Sequence, residues 1–249
     1  MNPYGGNIEL SQLILQLSGS RGSFELGLSI NELLGFTMRL TPSLLFEATV
    51  GTKFYQYYCT ASVYIFSRIP ERLTWYKKEI ISIAQLAFLY HFILIFSCIF
   101  TAIIRCDIIM DKLGALLFVY HLAIFSMWTM AFSICVNLLS IKLGSSSAYL
   151  ILSCVQVILI SLFVTLNSIK DDHFLLSKLI RLNPVACLVL GWQKFRFPLV
   201  NSTILSSYEG LYLEDSLFFV FAGCIVIIIL GAIIVMKHDL LISDEDVGG

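Results

Sequence analysis

Four long apolar runs, each bounded by polar or charged residues, constrain this chain more than any other feature. They cover residues 80–104, 113–141, 148–169 and 216–236. A helix needs about 20 apolar residues to cross the hydrocarbon core of a bilayer. Runs of this length favour helices, because every backbone polar group inside the membrane must be satisfied within the protein. The four runs therefore predict four transmembrane helices.

The composition supports a membrane location, because a water-soluble domain cannot hide this much apolar surface. Of the 249 residues, 58% are hydrophobic and 13% are charged, whereas soluble domains contain about 45–50% and about 25%. A soluble domain of this size would still expose roughly 25% of its chain surface to water. The expected fold class is all-α: a polytopic helical bundle in the cell membrane, with residues 1–249 forming one transmembrane domain in contact with lipid.

A weaker apolar run at residues 33–52 predicts a fifth span. Arg39 and Glu47 interrupt this run, and Pro42 is expected to bend it or mark a break. Ionisable side chains at membrane depth are costly, so they usually face protein or water. A helix lying at the membrane interface is the alternative for this run.

Charge placement in the connecting segments predicts the orientation of the bundle. Residues 68–78 form a short connection with four basic residues, whereas residues 170–215 are longer and balance five basic with five acidic residues. Short, basic connections are retained in the cytoplasm. We therefore expect residues 53–79 and the C-terminal tail to be cytoplasmic, and residues 170–215 to form an external loop.

This external loop contains an apolar stretch, Leu175 to Trp192, which Asn183 and Pro184 interrupt. Proline disfavours helix at the preceding residue, so the stretch resembles two short half-helices. Non-helical backbone is tolerated at membrane depth only where protein or water covers it. The preferred interpretation is a re-entrant hairpin with Asn183 and Pro184 as a gate, and the alternative is a surface loop with an amphipathic helix.

The sequence lacks the common motifs of nucleotide-binding proteins and hydrolytic enzymes. It contains no Gly-x-x-x-x-Gly-Lys-[Ser/Thr] phosphate loop, no His-Glu-x-x-His and no Gly-x-Ser-x-Gly. None of the seven cysteines forms a Cys-x-x-Cys pair, so neither a metal site nor a disulfide framework is indicated. The net charge of −1 gives no indication of nucleic-acid binding. We expect no catalytic, cofactor or metal site in this chain.

Several polar residues lie inside the predicted spans. His91 and His121 would suit a proton relay or a metal pair, but such residues more often hydrogen-bond a neighbouring helix. The same interhelical role is expected for three amides: Gln85, Asn137 and Gln156.

The segment between residues 47 and 78 resembles the corresponding segment of a known family. One pattern is Glu47-x-x-x-Gly51-Thr52, followed by Ser67-Arg68 and Lys77-Lys78. It is similar to the coupling region of membrane subunits of type 2 ABC exporters, in which the permease and the ATPase are separate chains. The string Gly51-Thr52…Cys59-Thr-Ala-Ser62-Val-Tyr64-Ile-Phe-Ser67-Arg68…Arg72…Trp75 resembles permeases of bacterial, peptide-antibiotic-type ABC operons.

The resemblance implies a function for the whole chain. It implies a permease subunit that moves a hydrophobic or amphipathic peptide or lipid, working as a homodimer or as a heterodimer with a related permease. ATP and Mg²⁺ would bind to a separate ATPase subunit. That subunit would dock on the coupling segment, residues 54–79, through the following residues: Arg68, Arg72, Trp75, Lys77 and Lys78.

The family has six spans and both termini in the cytoplasm, whereas five spans are predicted here. We therefore expect that the first helix is absent or lies upstream of Met1. Two other classes of function remain open: a membrane scaffold or sensor without an ATPase, and an intramembrane enzyme that uses His91 and His121.

Overall fold

A computed structural model describes residues 6–18, 30–60, 72–168, 180, 182–195 and 212–237. The α-helices bounded within these ranges are α1 (Leu10–Ser18), α2 (Ile30–Val50), α3 (Lys53–Thr60), α4 (Arg72–Arg105), α5 (Lys112–Leu143), α6 (Ser145–Ser168) and α7 (Leu213–Lys237). Two short strands, β1 (Asn7–Glu9) and β2 (Asp107–Ile109), and two 3-10 helices, Pro184–Leu188 and Leu190–Trp192, complete the described elements.

The predicted all-α helical membrane bundle is confirmed. Four of the helices in the described ranges, α4 to α7, are long and apolar enough to cross a membrane. With 34 and 32 residues, α4 and α5 extend about 50 Å at about 1.5 Å per residue. Because the hydrocarbon core is only about 30 Å thick, both helices project beyond it.

The fifth predicted span corresponds to α2, a 21-residue helix that continues through Pro42. Arg39 and Glu47 lie in its interior, whereas the charged residues of the four apolar helices lie near their ends. It packs against α5 and α6. Its crossing of the membrane stays a prediction.

Helix α5 is the centre of the bundle. In the most apolar stretch of α5, 67% of the residues are buried, compared with 22% in the corresponding stretches of α4, α6 and α7. It packs against each of the other described α-helices. Large apolar side chains instead cover the outward faces of α4, α6 and α7: Phe96, Phe100, Ile158, Phe218 and Ile229. These faces suit contact with lipid, since an aqueous surface rarely exposes so many large apolar groups together.

At one end of the bundle, which we call the α1 end, the N-terminal segment packs on the connection between α4 and α5. Strands β1 and β2 pair in parallel, with Asn7 opposite Asp107. The Asp111 carboxylate accepts hydrogen bonds from the backbone N–H of Ser11 at 3.1 Å and of Gly114 at 3.0 Å. One side chain therefore satisfies an N-terminal donor of both α1 and α5, where helices lack internal partners.

At the opposite end, the α3 end, aromatic side chains of α3 and α4 pack against α5 and α7. Phe54, Trp75 and Tyr76 form a cluster with Leu138 of α5 and Val235 of α7. Helix α4 begins at Arg72, eight residues before the predicted span. Residues 72–79 of the coupling segment are thus the first two turns of a membrane-length helix, and residues 61–71 lie outside the described ranges.

The connection between α5 and α6 is a single residue, Gly144, with φ of +78°. This left-handed backbone conformation is readily adopted by glycine because it has no Cβ. The turn allows α6 to pack back against α5 as its antiparallel neighbour.

Candidate functional site

A row of buried polar side chains crosses the interior between α2, α4, α5 and α6. Residues four apart lie on one face of a helix, and Ser43 and Glu47 therefore share one face of α2. Thr129, Ser133 and Asn137 follow the same spacing on α5. We call the following group the polar seam: Ser43, Glu47, His91, Thr129, Asn137 and Gln156. All six are buried.

The middle of the polar seam is a chain of three hydrogen-bonded side chains. Thr129 Oγ1 donates to Ser43 Oγ at 2.9 Å, and His91 Nε2 lies 2.7 Å from Thr129 Oγ1. Each hydroxyl can donate or accept, so the histidine tautomer sets the direction of the hydrogen bonds along this chain. This arrangement links α4, α5 and α2, in agreement with the interhelical role expected for His91.

A carboxylate and an amide form the next part of the seam. Gln156 of α6 lies 2.6 Å from Glu47 Oε2 of α2 through its side-chain amide. Glu47 is 0% exposed and Gln156 is 1% exposed. The second oxygen of each side chain, Glu47 Oε1 and Gln156 Oε1, has no hydrogen-bond partner among the described residues.

Asn137 holds the turn between α2 and α3. Its Oδ1 accepts from the backbone N–H of Phe54 at 2.8 Å, and its Nδ2 donates to the Val50 carbonyl at 3.0 Å and the Ser133 carbonyl at 2.8 Å. The side chain therefore satisfies backbone groups at a helix end and a helix start, where partners are otherwise missing. The interhelical role expected for Asn137 and Gln156 agrees with these contacts, whereas Gln85 lies exposed on α4.

A small cavity of about 100 Å³ opens beside the seam toward the α1 end. Arg39, His91 and His121 line it together with apolar side chains of α1, α4 and α5. His121 stacks on Phe125 with ring centroids 4.2 Å apart. The two histidines thus share one cavity, but the described residues contain no group of three or more His, Cys, Asp or Glu side chains that could hold a metal ion.

The predicted docking residues differ in their positions. Arg68 lies outside the described residues, and Arg72 is the first residue of α4. Lys77 and Lys78 are exposed. Trp75 is only 3% exposed and packs on Phe54 with ring centroids 5.2 Å apart. The structure therefore places the Trp75 ring in the interior of the α3 end and leaves the two lysines on its surface.

The predicted gate residues begin the first of the two 3-10 helices. Asn183 Oδ1 accepts from the Val185 N–H at 3.0 Å, and its Nδ2 donates to the Leu159 carbonyl of α6 at 2.9 Å. Pro184 is the first residue of the 3-10 helix. Residues 185–192 are buried against the bundle, so this part of the apolar stretch packs on protein. Most of its first half, residues 175–182, lies outside the described residues.

Sequence reasoning missed two members of the seam, Ser43 and Thr129. A hydroxyl side chain in an apolar helix is a weak signal, since it can bond to its own backbone. The available signal was spacing: Ser43 lies four residues before Glu47, and Thr129 lies eight residues before Asn137.

Comparison of the chain with models of protein families, with curated proteins and with solved structures found no significant match. The functional conclusion therefore rests on the residues of this chain and on their arrangement.

Proposed function

We propose that this chain is the membrane-spanning permease subunit of an ABC-type exporter in the cell membrane. It would be a multi-pass protein, driven by a separate ATPase subunit that docks at the α3 end and binds ATP and Mg²⁺. The coupling-region pattern around residues 47–78 supports this class of function. The observation that carries the proposal is the construction of the α3 end, where a basic surface and a buried aromatic cluster share one helical turn.

The basic surface consists of Lys77 and Lys78, which are exposed directly after the buried Trp75 and Tyr76. A partner that binds the lysines would therefore contact the helical turn that carries the aromatic residues on its opposite face. Electrostatic attraction of this kind suits a docking partner with an acidic rim. Arg68 and Arg72 are proposed to extend the same surface.

The aromatic cluster connects this surface to the central helices. Tyr76 Oη donates to the Ile228 carbonyl of α7 at 3.1 Å, and Phe54 N–H donates to Asn137 of α5. Because packed interiors transmit displacement and do not deform continuously, a shift of α3 and the start of α4 would move α5 and α7. This is the mechanical linkage that an ATP-driven permease requires.

The polar seam and the gate residues fit the same function. Buried polar and ionisable side chains within membrane bundles commonly mark substrate pathways. The proposed substrate is a hydrophobic or amphipathic peptide or lipid. Asn183 and Pro184 would close the pathway at the α1 end. Two copies, or one copy with a related permease, would enclose the full path.

The test is recovery of an ATP-hydrolysing subunit with the chain purified from its native membranes, compared between charge-reversal variants. The double variant Lys77→Glu, Lys78→Glu should reduce the recovered ATPase subunit by about tenfold or more, equivalent to a loss of about 1.4 kcal/mol of binding. Lys142→Glu, an exposed lysine at the same end, and Arg105→Glu, at the opposite end, are the matched controls and should retain it.

Two results would contradict the proposal. One is the absence of any ATP-hydrolysing subunit in complexes of the native chain. The other is equal recovery of that subunit with the double variant and with both controls, while all variants insert into the membrane normally.

A further inference from the structure

The Glu47 carboxyl group is the most unusual buried group in the seam. It is 0% exposed, and within the described part of the chain Gln156 is its sole hydrogen-bond partner. No basic side chain in these residues forms an ion pair with it. An ionised carboxylate without a cationic partner is strongly disfavoured in such an environment, because burial removes its hydration and no nearby positive charge compensates for it.

None of the described helices that pack around Glu47 places a positively charged side chain beside its carboxyl group. Helix α6 contributes the neutral Gln156 and has no acidic or basic residue. Helix α5 contributes the Cys135 thiol nearby. Helix α4 contacts α2 one turn earlier, where Tyr90 donates to the Pro42 carbonyl and His91 reaches Thr129 beside Ser43.

The basic residues closest in sequence are also placed elsewhere. Arg39 lies two turns before Glu47 on α2 and lines the cavity with His91 and His121. Lys53, at the start of α3, lies near Glu79 of α4. Neither therefore supplies a counter-charge to Glu47.

The distance between Glu47 and Gln156 is consistent with a hydrogen atom on the carboxyl group. The contact is 2.6 Å long. This is shorter than the usual range of about 2.7–3.2 Å for N–H···O bonds and lies within the range of about 2.5–3.0 Å for O–H···O bonds. The nitrogen and oxygen of a glutamine amide have the same shape, so their assignment follows from the hydrogen-bonding partners.

Exchanging the two amide atoms of Gln156 also changes the chemistry of the two atoms that have no partner among the described residues. With nitrogen toward Glu47 Oε2, both remaining atoms, Glu47 Oε1 and Gln156 Oε1, are acceptors. With oxygen toward a protonated Glu47 Oε2, the remaining atoms become an acceptor on the acid and an N–H₂ donor on the amide. A carboxylic acid and a primary amide each offer one donor and one acceptor and are therefore complementary. A carboxylate and a primary amide instead leave one oxygen acceptor on each side chain without a donor.

We infer that Glu47 and Gln156 form a proton-binding site inside the bundle, in which Glu47 is a neutral acid at neutral pH and donates its O–H to Gln156. Binding takes one proton from hydronium in the bulk solution, which becomes water as its O–H bond breaks. The proton forms one O–H bond with Glu47 Oε2 and removes one negative charge from the interior. Opening of the seam to water would restore hydration of the carboxylate and release the proton. The site thus couples protonation to the closed arrangement of the seam, and it does not depend on the ATPase partner.

The test is infrared difference spectroscopy of the purified chain in lipid nanodiscs at pH 7. We expect a carbonyl band of a protonated carboxyl group that shifts with ¹³C-glutamate labelling and is lost in Glu47→Gln. The matched control, Glu214→Gln in the first turn of α7, should keep it. Gln156→Leu, which removes the acceptor, should move the band to the position of a carboxyl group without a strong hydrogen bond.

Sodium chloride distinguishes a proton from a metal cation as the occupant. The band should have equal intensity in sodium-free buffer and in buffer with sodium chloride. Absence of the band from the native chain at pH 7 would overturn the proposal, and so would its loss on addition of sodium. An unshifted band in Gln156→Leu would contradict the pairing. These outcomes are measured on the native chain and on Gln156→Leu. The test therefore does not require that Glu47→Gln folds.

Discussion

Asn137 shows how a single buried amide can hold three segments of a membrane bundle together. Its side chain bonds backbone groups of α3, α2 and its own helix α5. The first two belong to the turn between α2 and α3, which these hydrogen bonds attach to α5. Loss of the amide therefore affects the α3 end before it affects the rest of the bundle.

Asn137→Leu should destabilise the chain by roughly 1–3 kcal/mol for each backbone group left buried without a partner. The measurement is thermal unfolding of the purified protein in a mild detergent. Gln85→Leu makes the same exchange at an exposed position of α4 and should change the free energy of unfolding by less than about 0.5 kcal/mol. Equal stability of the two variants would show that the Asn137 contacts contribute nothing.

At the level of residues, the sequence predicted which polar side chains matter better than it predicted their partners. Glu47, His91, Asn137 and Gln156 stand out because each interrupts an apolar run. The pairing of Gln156 with Glu47 depends on the rotation of α6 relative to α2, which one sequence does not determine. The prediction for Gln85 was wrong, because the sequence also does not determine which face of α4 points outward.

The helices differ from the sequence prediction mainly at their ends. Hydropathy falls at Lys77, Lys78 and Glu79, so the span was predicted from residue 80, whereas α4 continues back to Arg72. A helix that leaves the membrane keeps its backbone hydrogen bonds and simply acquires a polar face. Trp75 and Tyr76 lie on the opposite, buried face of these first turns.

The contact between α4 and α7 depends on Gly231. A Cβ atom at this position would overlap the Tyr76 hydroxyl and approach Leu138 Cδ1 to 2.8 Å. Gly223, two turns earlier on α7, has no atom within 4 Å of the corresponding position. The two glycines therefore differ in packing while sharing one helix.

Gly231→Ala should separate α7 from Tyr76, weaken the hydrogen bond to Ile228 and destabilise the bundle by roughly 1–3 kcal/mol, as overpacking does. Gly223→Ala should be neutral or stabilising by up to about 1 kcal/mol, the helix preference of alanine over glycine. Unfolding by heat or by denaturant in detergent measures both. If both variants were stabilised equally, the close approach of α4 and α7 would be refuted.

In the whole molecule, the described elements divide between two ends in the way that alternating spans require. The α1 end gathers α1, the connection between α4 and α5, and the 3-10 helices; the α3 end gathers α3, the start of α4 and the Gly144 turn. The sequence placed the same segments on common sides, because each apolar run reverses the chain across the membrane. The docking of α1 on α5 was less predictable, since a nine-residue amphipathic helix does not reveal its partner.

The central claim is a membrane-crossing bundle whose α3 end faces the cytoplasm, and labelling of single cysteines in intact cells tests it most directly. In a background without native cysteines, Met110→Cys lies at the α1 end, where Met110 is 70% exposed. Lys78→Cys lies on the exposed surface of the α3 end. A membrane-impermeant maleimide should label position 110 in intact cells and position 78 only after permeabilisation. Labelling of both positions in intact cells, or of position 78 alone, would contradict the account.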